Sequence, residues 1–183
     1  ILNVVKERQT SDFIHIKDAI AIAQENLEKL SQNKSEITGI PTGFYDLDKV
    51  TSGLHAGEMI IIAARPGMGK TAFALNIATN AAQNTKKAIA IFNLEMSADM
   101  LVNRMVASLG RIDSYKLQTG NMQERDWQRY NEAMSELSET NVYIEADASA
   151  TISEIRAKCR RLASSEEGLA LVNGTQAMGA LGV

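Results

Sequence analysis

Glu58-Met59-Ile60-Ile61-Ile62-Ala63-Ala64-Arg65-Pro66-Gly67-Met68-Gly69-Lys70-Thr71-Ala72-Phe73-Ala74-Leu75 is the stretch from which the rest of the chain is read. Met59 to Ala64 is a continuous apolar run, which predicts a strand buried on both faces of a parallel sheet. Arg65 to Gly69 reads as a turn. From Lys70 onward Phe73, Ala74, Ile77, Ala78 and Ala81 recur at helical spacing. Strand, glycine turn and helix in that order are the layout of a phosphate-binding loop. The glycines let backbone N–H groups face inward, and the helix start adds partial positive charge. Lys70 can then reach the β- and γ-phosphates of a nucleotide, and the Thr71 hydroxyl can ligate Mg²⁺. The candidate nucleotide-binding residues are Ala64, Arg65, Pro66, Gly67, Met68, Gly69, Lys70, Thr71 and Ala72.

The strict form of this pattern starts on glycine, where this chain has Ala64. The looser form arises by chance in roughly one or two per cent of chains this long. The apolar run before it and the helical pattern after it argue against the alternative, a solvated Gly-Lys-Thr turn.

Composition narrows the field. The 183 residues are 45% apolar and 22% charged with a net charge of −3, so any basic footprint for nucleic acid has to be local. No run reaches the length of a membrane span, and the N-terminus lacks the layout of a signal peptide. Cys159 is the only cysteine, which excludes an intrachain disulfide, and His15 and His55 have no partners at zinc spacing. The expectation is a reduced, cytoplasmic protein with no membrane association.

Ile1 to Thr10 is short and mixed and reads as a cut end. Ile16, Ile20, Ala23, Leu27 and Leu30 make one narrow apolar stripe on a helix, and a polar spacer follows it. That stripe packs either on its own domain or on a neighbouring subunit. Residues 37–57 read as turns and short strands, with Asp46 and Asp48 as turn or cap residues.

Ala88 to Phe92 predicts a second buried strand, and Glu95 lies just beyond its carboxyl end, where ligands bind in parallel sheets. A carboxylate there either orients and deprotonates a water or merely complements a helix dipole beside Ser97. Helices are predicted at about 98–109 and 124–137. The second should put Trp127, Tyr130, Met134 and Leu137 into the core, not on a base-stacking surface. Val142 to Ile144 reads as a third strand, and Thr151-Ile-Ser-Glu154 as a capping box opening a helix. Arg156, Lys158, Arg160 and Arg161 on that helix either touch phosphate or form a solvated face. Leu169 to Val172 begins a fourth strand, after which Asn173 to Val183 carries no charge and completes no element.

Four ordered motifs together resemble the bacterial DnaB-type replicative helicases: Ile-Pro-Thr-Gly-Phe-Tyr-Asp-Leu-Asp (40–48), Ala-Ala-Arg-Pro-Gly-Met-Gly-Lys-Thr (63–71), Leu-Glu-Met-Ser (94–97) and Arg-Ala-Lys-Cys-Arg-Arg-Leu (156–162). The resemblance covers roughly residues 12–172. It implies an α/β RecA-like P-loop core, a mostly parallel sheet flanked by helices and preceded by a linker helix. Domain bounds follow: linker helix and spacer at 1–36, the N-terminal part of the ATPase domain at 37–172, and an atypical tail at 173–183 that looks foreign to the domain.

The resemblance also implies a homo-hexameric ring, joined through the linker helix at 14–30, that hydrolyses ATP and moves 5′ to 3′ on single-stranded DNA at a fork. Primase and a helicase loader are its implied partners. The family's catalytic glutamate maps on Glu95, with Lys70 beside it as the second catalytic group. Its Walker B aspartate has no counterpart here, because Asn173-Gly174 follows Val172. The family's DNA loops and trans-acting arginine lie farther on, so little turnover is expected from this chain alone. The alternatives are another RecA-like ATPase, of recombinase or clock type, and a nucleotide-binding module without turnover.

Overall fold

The structure, a computed structural model, describes residues 14–32, 37–147, 149–165 and 168–175. The N-terminal stretch at 1–10, most of the polar spacer and residues 176–183 lie outside the described residues. The chain divides into two units, one ending at Thr38 and one starting at Gly39.

In the first unit, α1 spans Ile16–Gln32 and buries none of its residues. The helix therefore starts two residues after Ile14. The i,i+4 pair Glu25–Lys29 (2.6 Å) decorates its polar side, while Ile16, Ile20, Leu27 and Leu30 are all exposed.

The second unit is built on a three-stranded parallel sheet of β1 (Ala88–Asn93), β2 (Val142–Glu145) and β3 (Leu169–Thr175), in the order β2-β1-β3. All six residues of β1 are buried, as its apolar run predicts. The chain leaves β1 through α4 (Ala98–Leu109), α5 (Ser114–Thr119) and α6 (Glu124–Ser138) to reach β2. It then crosses back through α7 (Ile152–Ala163) to β3. Right-handed crossovers in opposite directions put α4–α6 on one face of the sheet and α7 on the other. On the first face Ile89 and Ile91 pack with Leu101 and Met105 of α4 and with Leu75, Ala78, Ala81 and Ala82 of α3 (Lys70–Asn84).

Four expectations are corrected. Met59 to Ala64 forms no ladder among the described residues, and Met59, Ile60 and Ile61 are exposed. An apolar run specifies burial but not a pairing partner; β1 holds the central place, with β2 and β3 on its two sides. Residues 45–51 form a helix, α2 (Tyr45–Thr51), in place of the expected turns and short strands. The sheet-like feature of this region is the isolated bridge Ile40–Leu54. Strand β3 runs on to Thr175, because backbone pairing with β1 does not need apolar side chains. In α6 Leu137 packs against the core as expected, but the buried residues are Asp126 and Ala133, while Trp127 is 48% exposed and Met134 37%. The Trp127 ring instead meets Tyr130 edge-on at 5.8 Å.

Candidate functional site

The loop between Ala64 and Thr71 turns where the Met68 N–H donates to the Arg65 carbonyl at 3.2 Å. Gly67 and Gly69 have φ of 78° and 87°, left-handed values open to glycine and strained for other residues. A Cβ built on either would meet nothing within 4 Å, so conformation and not crowding selects glycine there. Gly69 is the N-cap of α3, and its carbonyl accepts from Phe73 N–H at 2.9 Å.

No side chain caps this helix start, and its first turn holds no acidic residue. The N–H groups of Lys70, Thr71 and Ala72 are the orphan donors of a helix N-terminus. Uncapped donors, an open glycine turn and a half-buried lysine together fit an anion such as a polyphosphate. Ala64, Arg65, Pro66, Met68 and Ala72 are exposed around it, while Lys70 and Thr71 are half-buried.

The segment before the loop is locked onto α3. The Asp48 carboxylate accepts from Thr42 N–H (2.8 Å), Thr42 Oγ1 (2.7 Å) and Gly43 N–H (3.1 Å). The Thr42 carbonyl in turn accepts from Asn80 Nδ2 at 2.9 Å, and the Phe44 ring lies 4.9 Å from that of Phe73. Asp48 thus lies within α2 and reaches back to hold the turn before it, and its oxygens are engaged by Thr42 and Gly43. Asn173, in the stretch where the apolar pattern fails, donates through Nδ2 to the Ala74 carbonyl at 3.1 Å and ties β3 to the same helix.

Glu95 lies two residues past β1 and is exposed. Its backbone N–H donates to Asn93 Oδ1 at 2.9 Å, and its carboxylate has no partner among the described residues. Lys70, at the start of α3, and Glu95, in the turn after β1, form no ion pair with each other. No group of three His, Cys, Asp or Glu suited to a metal occurs among the described residues.

Electrostatics elsewhere serves the helices. Lys116 donates to Asp126 at 2.7 Å, and this bond, with a backbone bond from Gln123, holds the Asp126 carboxyl below its ordinary value. The capping box joins Thr151 and Glu154, and backbone donation from Thr151 keeps Glu154 low too. Of the four cations on α7, Lys158 pairs with Glu145, whereas Arg156, Arg160 and Arg161 are exposed. Burial pushes the Cys159 thiol up.

Sequence reasoning missed Asn93 and the Thr42–Asp48–Asn80 lock. A polar residue closing an apolar strand was the available signal for the first. The second depends on a contact 38 residues apart, which local pattern cannot show.

Comparison with known proteins adds the following. The profile of the DnaB-like helicase C terminal domain matches residues 39–178. Replicative DNA helicase DnaC of Bacillus subtilis (strain 168) is 48% identical over 172 residues, covering 94% of this chain and 38% of that protein. Replicative DNA helicase DnaB of Geobacillus stearothermophilus is 46% identical with the same coverage. Among solved structures, one of an ATPase domain superposes with a TM-score of 0.79 at 31% identity, over 89% of this chain and 57% of that one. A DnaB-like replicative helicase, described with its interactions with primase, gives 0.75 at 31% identity, over 89% and 39%. The chain spans 38% of the length of these two relatives.

Proposed function

The chain belongs to the DnaB-like helicases, through their C-terminal domain, and on that premise we propose that it is the nucleotide-handling part of an ATP-driven replicative DNA helicase. Its α/β fold is the RecA-like core of that family's ATPase domains. The observation that carries the proposal is the open glycine turn at 64–71 ahead of the uncapped start of α3.

Bound there, a nucleoside triphosphate supplies the phosphoanhydride whose hydrolysis drives the motor, with Mg²⁺ as its counter-ion. The N–H groups of Gly67, Gly69, Lys70 and Thr71 would hold the phosphates, Lys70 would neutralise the charge at their far end, and the Thr71 hydroxyl would hold the metal. Glu95 takes the proton of the attacking water, and its exposed, unpaired carboxylate suits that role. A neighbouring subunit completes the site with an arginine in a homo-hexameric ring.

The apolar stripe of α1 docks on that neighbour, since an amphipathic helix gains most of its stability by packing its apolar face. Single-stranded DNA, primase and a loader are the partners of the whole protein, working in the cytoplasm. These residues alone bind nucleotide with little turnover.

Calorimetric titration with Mg·ATP tests the reading. Lys70→Ala should weaken binding at least about tenfold, the loss expected for a charge-assisted hydrogen bond. Equal affinity in both proteins sinks the proposal.

A further inference from the structure

Strand β1 is apolar from Ala88 to Phe92 and closes on Asn93, which is only 2% exposed. In register it pairs with Thr175 of β3, at the carboxyl ends of both strands, where parallel sheets bind ligands. The Asn93 side chain has two ends with different fates. Its Oδ1 accepts from the backbone N–H groups of Glu95 (2.9 Å) and Met96 (3.3 Å). Its Nδ2 is buried and has no hydrogen-bond partner among the described residues.

The first contact is an Asx-type turn, which aspartate or serine makes as well as asparagine. Neither of those brings an amide donor into a dry position. The turn therefore accounts for Oδ1 and leaves Nδ2 without a structural task, in a place where an unmet donor is disfavoured.

We propose that Asn93 is the positioning residue for Glu95, holding its backbone through Oδ1 and presenting Nδ2 to an oxygen acceptor that arrives with a nucleoside triphosphate. That acceptor is a terminal phosphate oxygen or the water lying against it. The proposal rests on the nucleotide-site reading and adds a residue that registers which nucleotide is present. Asn93 acts through Glu95 and through its own amide; it transfers no proton.

The test uses the whole 183-residue chain, ¹⁵N-labelled, with Asn93→Ala and Asn93→Asp. Asn93→Asp retains an acceptor oxygen and lacks the donor. Amide hydrogen exchange at Glu95 and Met96 should speed up about five- to tenfold in Asn93→Ala, the loss of one net hydrogen bond, and stay within about twofold of wild type in Asn93→Asp. The side-chain NH₂ signals of wild-type Asn93 should move when Mg²⁺ and a non-hydrolysable ATP analogue are added, and stay in place with Mg·ADP. Unchanged exchange in Asn93→Ala, or equal acceleration in both variants, overturns the positioning role.

NH₂ signals that respond alike to the two nucleotides, with Lys70-dependent binding of both, overturn the donor role. If Asn93→Ala fails to fold, Asn93→Asp and the wild-type NH₂ signals decide instead. Failure of either nucleotide to bind removes the nucleotide-site reading and the donor role with it, while the exchange rates still judge the hold on Glu95.

Discussion

The Asp48 carboxylate grips Thr42 twice, through its backbone N–H at 2.8 Å and its hydroxyl at 2.7 Å, in a place where both residues are buried. Removing the carboxylate leaves three donors unmet, those of Thr42 and the Gly43 N–H. Asp48→Ala should therefore lose about 3 kcal/mol of stability, read from the urea midpoint at constant slope. Asp48→Asn retains one acceptor oxygen and should lose clearly less. Equal losses would mean that charge, not hydrogen bonding, holds the turn.

Two glycines separate stability from binding. At Gly43 (φ 82°) a Cβ would come within 2.1 Å of Asn80 Nδ2 and 2.8 Å of Asn80 Cβ, whereas at Gly69 it meets open space. Gly43→Ala adds a clash to backbone strain and should lose about 2–4 kcal/mol, against about 1–2 kcal/mol of strain for Gly69→Ala. Nucleotide affinity should rank the other way, because Gly69 shapes the turn that presents the donors. Thermal denaturation and nucleotide titration on the same two proteins check the crossing.

Glu95→Gln keeps size and backbone donation but cannot accept a proton. In the whole helicase it should lower ATP turnover by about 10²-fold or more while nucleotide affinity stays within about threefold. A parallel loss of affinity would assign Glu95 to binding, against the mechanism proposed above.

Acid should weaken the fold at its caps and clamps. The carboxyls of Asp126, Asp147 and Glu154 are all held below their ordinary values, Asp126 first by the Lys116 bond, Asp147 by Ser149 and Glu154 by Thr151. A depressed folded-state pKa means the unfolded chain takes up protons first. Their stabilisation is present above about pH 4 and disappears as pH falls through the lower folded-state values. Lys116→Met should flatten the part of this fall that Asp126 contributes, measured by helical circular dichroism between neutral pH and about pH 2. An identical acid midpoint in that variant would show that the pair does not couple to folding.

The α1 stripe carries its own prediction. Ile20→Asp with Leu27→Asp, both on the exposed side, should lower the oligomeric state by light scattering without changing the stability of the second unit. A loss of stability there would place the stripe against its own chain.

Much of this was legible in the residues because it depends on local chemistry. The turn at Gly67 and Gly69 needs positive φ, which glycine supplies without help from elsewhere, and α3 starts at Lys70 as its spacing indicates. Strand β1 is read from its unbroken apolar run, and the Thr151–Glu154 cap from its four-residue pattern. The resemblance to the helicase family rests on such motifs, and the family match agrees with it. The short helices α2 and α5 escaped because seven and six residues give too little periodicity to register.

Tertiary structure alone decided which apolar run takes the centre of the sheet, since Met59–Ala64 and Ala88–Phe92 look alike until hydrogen-bond partners are assigned. It also joined Thr42 to Asn80, Asn173 to Ala74 and Asn93 to the backbone of Glu95. Composition fixes what a residue is able to donate or accept. Only the fold fixes how much water is left around it, and therefore which of those bonds must be made within the protein.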